Sequence, residues 1–349
     1  MTLAERALAL CRIPSPIGSE WALADHVEAW ARALASAPEV VRVGHSLAVM
    51  PRSGQAPRVA LVGHLDTVPP HASEPAPRLD AERLYGLGSS DMKGGLAVMM
   101  ALAESLTTAA PQTAYVFYER EEGPYLESGL GPLFERVPTL RQTKFAVALE
   151  PTDNAVQVGC MGSLHATVRF VGKNAHSARP WQGENAIHKA GALLSELASR
   201  SRREVKVGGL SFYEVMSVTL AHGGRARNVV PDAFELNLNY RFAPGTSVAQ
   251  AQQNVRELVA GRAEVAFTDL APAGRVCDGN PLFQRLLAAT GRPPEAKQAW
   301  TDVGRLSEMG IDAVNYGPGE VAQAHQANES APTAALDVAH GVLRALLEA

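Results

Sequence analysis

The side chains that could do chemistry in this sequence are imidazoles and carboxylates in five short segments. They are His64 and Asp66 in "ALVGHLDTVPP", Asp91 in "GLGSSDMKGG", Glu121 and Glu122 in "EREEG", Glu150 in "ALEP" and His325 in "QAHQANE". Taken singly, each is ordinary. A histidine after a strand is commonly structural, and a Glu-Glu pair is commonly a solvated turn. The glycine-rich loop invites comparison with a phosphate-binding turn, but Asp91 stands where a dinucleotide fingerprint requires glycine, and its charge would repel a phosphate. Taken together, two histidines and several carboxylates without cysteine are the donor set of a catalytic zinc centre rather than a closed structural one. Charge counting favours two ions: Asp91, Glu122 and Glu150 carry −3, two Zn²⁺ carry +4, and one hydroxide closes the sum to zero. A single zinc would leave the site negative and a weak Lewis acid. Cys11, Cys160 and Cys277 form no CxxC pair, which argues against a disulfide framework and against a thiolate site.

These segments need a scaffold that gathers them. "RVALVGHLD" reads as a buried strand, "TAYVFYEREEG" (113–123) as a second ending in acids, and "KFAVALEP" (144–151) as a third stopped by proline. His64 and Asp66 are two residues apart and therefore project from one face of their strand. Residues 3–12 and 20–36 have helical periodicity, and "MKGGLAVMMALAESL" (92–106) is an apolar helix with glycines in its first turn. Strands alternating with helices predict an α/β fold, a mostly parallel sheet with helices on both faces. The polar segments then lie along the rim where such sheets bind ligands. After residue 160 the pattern changes. "SLHATVRFVG" (163–172) and "DAFELNLNYRF" (232–242) alternate, as strands of a sheet with one wet face do. Helices are expected over 184–200, with an apolar stripe available for self-association, and over about 247–260. The expected organisation is a catalytic zinc-binding domain over 1–161 and 271–349, with a smaller α+β lid and dimerisation domain inserted at 162–270.

Composition sets the outer limits. The chain has 349 residues, 46% hydrophobic and 19% charged, with a formal net charge of −4 and no basic run. Nucleic acid and anionic membranes are therefore not expected partners, and a small-molecule substrate is. No apolar stretch approaches the roughly 20 residues of a membrane span. The N-terminus lacks a basic n-region and carries Glu5, so the expected location is cytoplasmic.

"GHLDTVPP", "GLGSSDMKGG", "EREEG", "ALEP" and "AHQANE" follow the order and spacing of the dinuclear zinc amidohydrolases that include aminoacylases and glutamate carboxypeptidases, and the chain resembles that family along essentially its whole length. Three longer segments, "AHSARPWQGENAIHKAG", "NVVPDAFELNLNYRFAPG" and "WTDVGRLSEMGIDAVNYGPG", carry a narrower resemblance to one branch of it. That branch implies hydrolysis of N-succinyl-LL-2,6-diaminopimelate to succinate and LL-2,6-diaminopimelate. Another N-acyl-amino-acid deacylase or a metallo-dipeptidase or carboxypeptidase is the alternative within the family. A nucleotide-binding α/β protein and a non-catalytic metal-binding relative are the alternatives outside it.

The resemblance implies roles residue by residue. His64 and Glu150 would ligate one zinc, Glu122 and His325 the other, and Asp91 would bridge them, with Co²⁺ as an alternative occupant. Asp66 would orient the His64 ring. Glu121 would be the general base. The Asp91–Met92 peptide bond is expected to be cis. His176 would donate to the oxyanion, acting on the partner chain's site in a homodimer. Arg241 would clamp a substrate carboxylate, with Arg179, Asn228, Thr301 and Gly317 as further substrate contacts. The loop "PYLES" (124–128) departs from the family pattern beside the site. The other histidines, His45 among them, are left as structural or exposed.

Overall fold

The protein is described by a computed structural model covering residues 1–51, 54–106 and 112–348. Its described residues form two compact units: one of Met1–Gly159, Arg275–Lys297 and Thr301–Ala349, the other of Cys160–Gly274 with Gln298–Trp300.

The larger unit is built on an eight-stranded sheet. At its centre Thr113–Tyr118, Val59–His64, Phe145–Ala148 and Ala313–Asn315 run side by side, all parallel, so that their C-terminal ends share one rim. The three longest of these are buried along their whole length, as parallel strands covered on both faces must be. The edge is finished by an antiparallel hairpin, Glu39–Val43 and Ser46–Met50, which pairs with Thr113–Tyr118. The helix Gly94–Ser105 buries residues on every side, because it packs against Val59–His64 and between the helices Leu3–Cys11 and Thr333–Leu347. Gly95 permits its close approach: a Cβ there would lie 2.6 Å from the Leu149 carbonyl oxygen. Leu3–Cys11 begins with a reciprocal cap, in which Thr2 accepts the Glu5 amide and Glu5 accepts the Thr2 amide.

The smaller unit is a five-stranded antiparallel sheet in the order Arg203–Val207, Leu210–Gly223, Ala233–Phe242, Gly162–Val171, Glu264–Ala271. The helices Ala186–Ser199 and Val248–Val259 cover one face. Phe170, Phe234, Leu236, Leu238 and Phe242 of the sheet meet Ala190, Leu193, Leu197, Val255 and Leu258 of the helices in a single core. The expected free apolar stripe of the first helix is therefore only partly free. Of Ile187, Ala190, Leu194 and Leu197, which make up the stripe, Ala190 and Leu197 are buried against their own sheet, Leu194 packs beside them, and Ile187 is left 37% exposed. Among the described residues no helix is long and apolar enough to cross a membrane.

Candidate metal centre

His64 is the last residue of its strand, and the parallel neighbours deliver Glu121–Glu122 and Glu150 just beyond their own ends. Glu150 is followed by Pro151, which cannot continue a ladder. Asp91 comes from the turn that leads into Gly94–Ser105, with a cis bond to Met92, as expected. His325 lies on a loop in the left-handed region, φ 62°.

Asp91 stands between the two histidines. His64 Nε2 is 3.0 Å from Asp91 Oδ1, and His325 Nε2 is 3.7 Å from Asp91 Oδ2 and 2.8 Å from Glu122 Oε1. Glu150 Oε1 lies 4.0 Å from His64 Nε2 and is buried without a hydrogen-bond partner. Two donor sets result, His64–Asp91–Glu150 and Asp91–Glu122–His325, each with its ligand atoms within 4.8 Å of one another and Asp91 common to both. Glu121 lies within the same distance of His64 and Glu122. Glu150 cannot leave its oxygen buried and unpaired at no cost, and cation ligation would satisfy it.

The electrostatics point the same way. Burial and the charge of Asp91 push the Glu150 carboxyl up to about 7. Burial and the charge of Glu150 raise Glu121 well above its ordinary value. The hydrogen bond to Glu122 lifts His325 to about 9. Burial opposes charge on His64, but Asp66 and Asp91 outweigh it and hold its pKa well above the usual imidazole value. Burial comes first in raising the two carboxyls and neighbouring carboxylates second, while the His64 hydrogen bond and charge hold Asp91 below its ordinary value against its own burial; divalent cations would neutralise the carboxylates gathered here.

The orienting contacts around His64 are divided. Its Nδ1 lies 3.0 Å from the Asp66 main-chain oxygen and 3.6 Å from Asp66 Oδ1. The Asp66 carboxylate itself accepts the amides of Glu121 at 3.1 Å and Glu122 at 2.9 Å, so one buried acid fixes both the histidine strand and the Glu-Glu turn. Gly317 lies against the Glu150 backbone, where a Cβ would meet the Glu150 oxygen at 2.5 Å. Thr301 is buried ahead of the helix Val303–Glu308, its carbonyl accepting the Gly304 amide. The 124–128 loop is anchored by Tyr125, whose hydroxyl donates to Glu308 at 2.6 Å and whose carbonyl accepts Arg305.

Glu329, Asp302 and Lys297 are parts of this surrounding structure that the sequence reading did not single out. Glu329 is 1% exposed and accepts the amides of Gly88 at 2.8 Å, Ser90 at 2.7 Å and Asp91 at 2.8 Å, which holds the Asp91 turn in place. Buried Asp302 pairs with Arg305 at 2.6 Å, and Lys297 is buried with its amine 3.4 Å from the Pro151 carbonyl. In "QANES" an acid among small polar residues reads as a wet loop, and only the fold reveals its burial. Glu329→Gln turns an amide donor toward the Gly88 N–H and is expected to lower unfolding free energy by about 2–3 kcal/mol, measured by urea titration. An unchanged midpoint would mean that the turn does not depend on these bonds.

In the smaller unit, His176 forms a two-residue ladder with Val229, and the Asn228 carbonyl accepts the Ser177 amide. Arg179 donates its amide to the His176 carbonyl, so His176, Arg179 and Asn228 form one local group. His176 Nδ1 accepts the Ala178 amide at 3.1 Å, which places the ring proton on Nε2 and leaves it exposed as a donor. Arg241 is elsewhere, near the end of Ala233–Phe242 and opposite Ser163, with its Nε donated to Asn239 Oδ1.

The parallel-sheet rim thus carries two histidine–carboxylate sets around a shared aspartate, a donor arrangement that could hold two metal ions. Residues 158–265 match the peptidase dimerisation domain of the M20 peptidases. The chain is 39% identical over 344 residues to a Mycobacterium tuberculosis protein provisionally named succinyl-diaminopimelate desuccinylase DapE, covering 98% of this chain and 97% of that one. It is 35% identical over 347 residues to the succinyl-diaminopimelate desuccinylase of Corynebacterium glutamicum, covering 97% and 94%. Its fold is similar to that of the Bacillus subtilis YXEP protein, described as a dinuclear metal-binding peptidase, with a TM-score of 0.70, 16% identity and coverage of 99% and 96%. The chain belongs to the M20 peptidase family, and the two relatives matched along nearly its whole length carry the name succinyl-diaminopimelate desuccinylase.

Proposed function

We propose that the protein is a cytoplasmic, homodimeric desuccinylase that hydrolyses N-succinyl-LL-2,6-diaminopimelate to succinate and LL-2,6-diaminopimelate, in lysine and diaminopimelate synthesis. The observation that carries the chemistry is Asp91, with one carboxylate oxygen toward each histidine. The full-length likeness to two desuccinylases supports the substrate. The unit of residues 160–274 is read as the lid and dimerisation domain, and the remainder as the catalytic domain.

His64, Asp91 and Glu150 would hold one Zn²⁺, and Asp91, Glu122 and His325 the other. Bound there, two zinc ions would polarise the amide carbonyl and lower the pKa of water. Glu121 takes a proton from the attacking water, whose oxygen bonds to the succinyl carbonyl carbon. The C–N bond then breaks, and Glu121 returns the proton to the leaving amine. Burial, and after it the neighbouring Glu150, raises the proton affinity of Glu121, which suits a group that takes up a proton. His176, through its Nε2 proton, stabilises the oxyanion. Arg241 clamps a carboxylate of the substrate, helped by Arg179, Asn228, Thr301 and Gly317.

The test is hydrolysis of the succinyl substrate beside N-acetylornithine. Faster turnover of the succinyl substrate, abolished by chelation and restored by Zn²⁺, is the expected result. Preference for acetylornithine would transfer the chain to the acetyl-amino-acid branch, and turnover unaffected by chelator would remove the metal assignment.

A further inference from the structure

One further imidazole–carboxylate group is gathered in the larger unit, apart from the centre around Asp91. Ligand atoms of Glu20, His45 and Glu119 lie within 4.8 Å of one another. Three separate segments bring them together. Glu20 precedes the helix Trp21–Arg32, His45 is in the two-residue turn between Glu39–Val43 and Ser46–Met50, and Glu119 follows Thr113–Tyr118.

Glu20 is 0% exposed, yet only one of its oxygens is bonded. Its Oε1 accepts the Gly18 amide at 2.8 Å, while Oε2 is buried without a hydrogen bond. That oxygen faces His45 Nδ1 at 3.7 Å, and Nδ1, also without a hydrogen bond, lies 2.9 Å from Glu119 Oε2. A buried carboxylate oxygen without a donor is costly, so something positive must serve it. Glu119 is fixed from the other side, its Oε1 accepting the His45 amide at 2.9 Å. The packing is shaped to this carboxylate: a Cβ at Gly44 would stand 2.3 Å from Glu119 Oε1, and one at Gly129 would stand 2.7 Å from Glu119 Cγ. Two carboxylates and a neutral imidazole carry −2, which one divalent cation balances. One nitrogen and two oxygen donors suit Zn²⁺ and its neighbours better than Ca²⁺ or Mg²⁺. Side-chain exposures of 32% for His45 and 15% for Glu119 leave a path from solvent and room for water as a further donor.

We propose that Glu20, His45 and Glu119 bind one divalent cation of the Zn²⁺ type, which ties the start of a helix and the edge hairpin to the segment leading into Glu121 and Glu122. The test uses the full chain, dialysed against Zn²⁺ and then against metal-free buffer, with zinc counted by emission spectroscopy. Glu20→Gln and His45→Gln are each expected to hold one zinc fewer per chain than wild type, and to show a smaller zinc-dependent rise in melting temperature. His45 is partly exposed, so His45→Gln keeps the test valid should Glu20→Gln fail to fold. Equal zinc content in wild type and folded His45→Gln overturns the proposal. Because the count is a difference, its outcome is independent of how many ions the Asp91 centre takes.

Discussion

Glu121→Gln is expected to lower turnover by about 10² to 10⁴ while leaving the metal content of the protein unchanged, whereas Glu122→Gln should lose metal. The two glutamates are adjacent, and both amides are held by Asp66, so neither substitution releases the turn. Their side chains face different neighbours. Glu122 Oε1 is 2.8 Å from His325, which itself faces Asp91. Glu121 falls in the set with His64 and Glu122, and it is absent from both sets that share Asp91. A neutral amide of the same size cannot take a proton from water. It also removes one charge from a crowd in which Glu150 and Glu122 already oppose ionisation of Glu121. Metal-free Glu121→Gln should therefore be at least as stable as metal-free wild type. Steady-state rates, metal analysis and thermal melts together separate the roles. Near wild-type turnover in Glu121→Gln would refute the base assignment, and loss of metal would make Glu121 a ligand.

The legible and illegible parts of the fold divide by the range of the interactions that set them. Val59–His64, Thr113–Tyr118 and Phe145–Ala148 are continuous apolar runs bounded by polar residues, and Ala233–Phe242 alternates along its length, so periodicity alone locates them. Gln157–Val158 and Glu295–Ala296 are two residues each and exist only because the sheet is there to pair with. They carry no periodicity. The edge hairpin at Glu39–Met50 was hidden by its half-buried strand, whose exposed side gives no clean alternation. At the site, side chains that would face the reaction were readable as residue types. Those that hold the site were not. Glu329, Asp302 and Glu20 are acids whose burial comes from contacts with residues distant in sequence, and nothing near them in the chain announces it. His45 reads from the sequence as structural or exposed, and its two carboxylate neighbours come from positions 20 and 119.

Mixing two inactive variants is expected to restore roughly a quarter of wild-type activity, if His176 serves the site of the partner chain. The geometry of the smaller unit supplies the reason. Arg241 pairs with Ser163, and Ala233 at the other end of the same strand pairs with Val171. Eight residues along a strand span about 26 Å. His176 lies beyond that far end, laddered to Val229, whose chain enters the strand through Pro231 and Asp232. Arg241 and His176 thus belong to opposite ends of this strand pair, an arrangement that suits one substrate being held by Arg241 of one chain and His176 of another. One variant should carry Glu121→Ala and the other His176→Ala, with both unfolded and refolded together. Random pairing makes about half of the dimers mixed. In each mixed dimer one site lacks both residues, and the other combines an intact Glu121 with a wild-type His176 from its partner. One working site in half of the dimers gives the quarter. If His176 acts within its own chain, every site lacks one essential residue and activity stays at the level of the separate variants. Mass measurement of the mixed dimers decides whether silence means the wrong assignment or failed exchange, and silence with exchange confirmed would return His176 to its own chain.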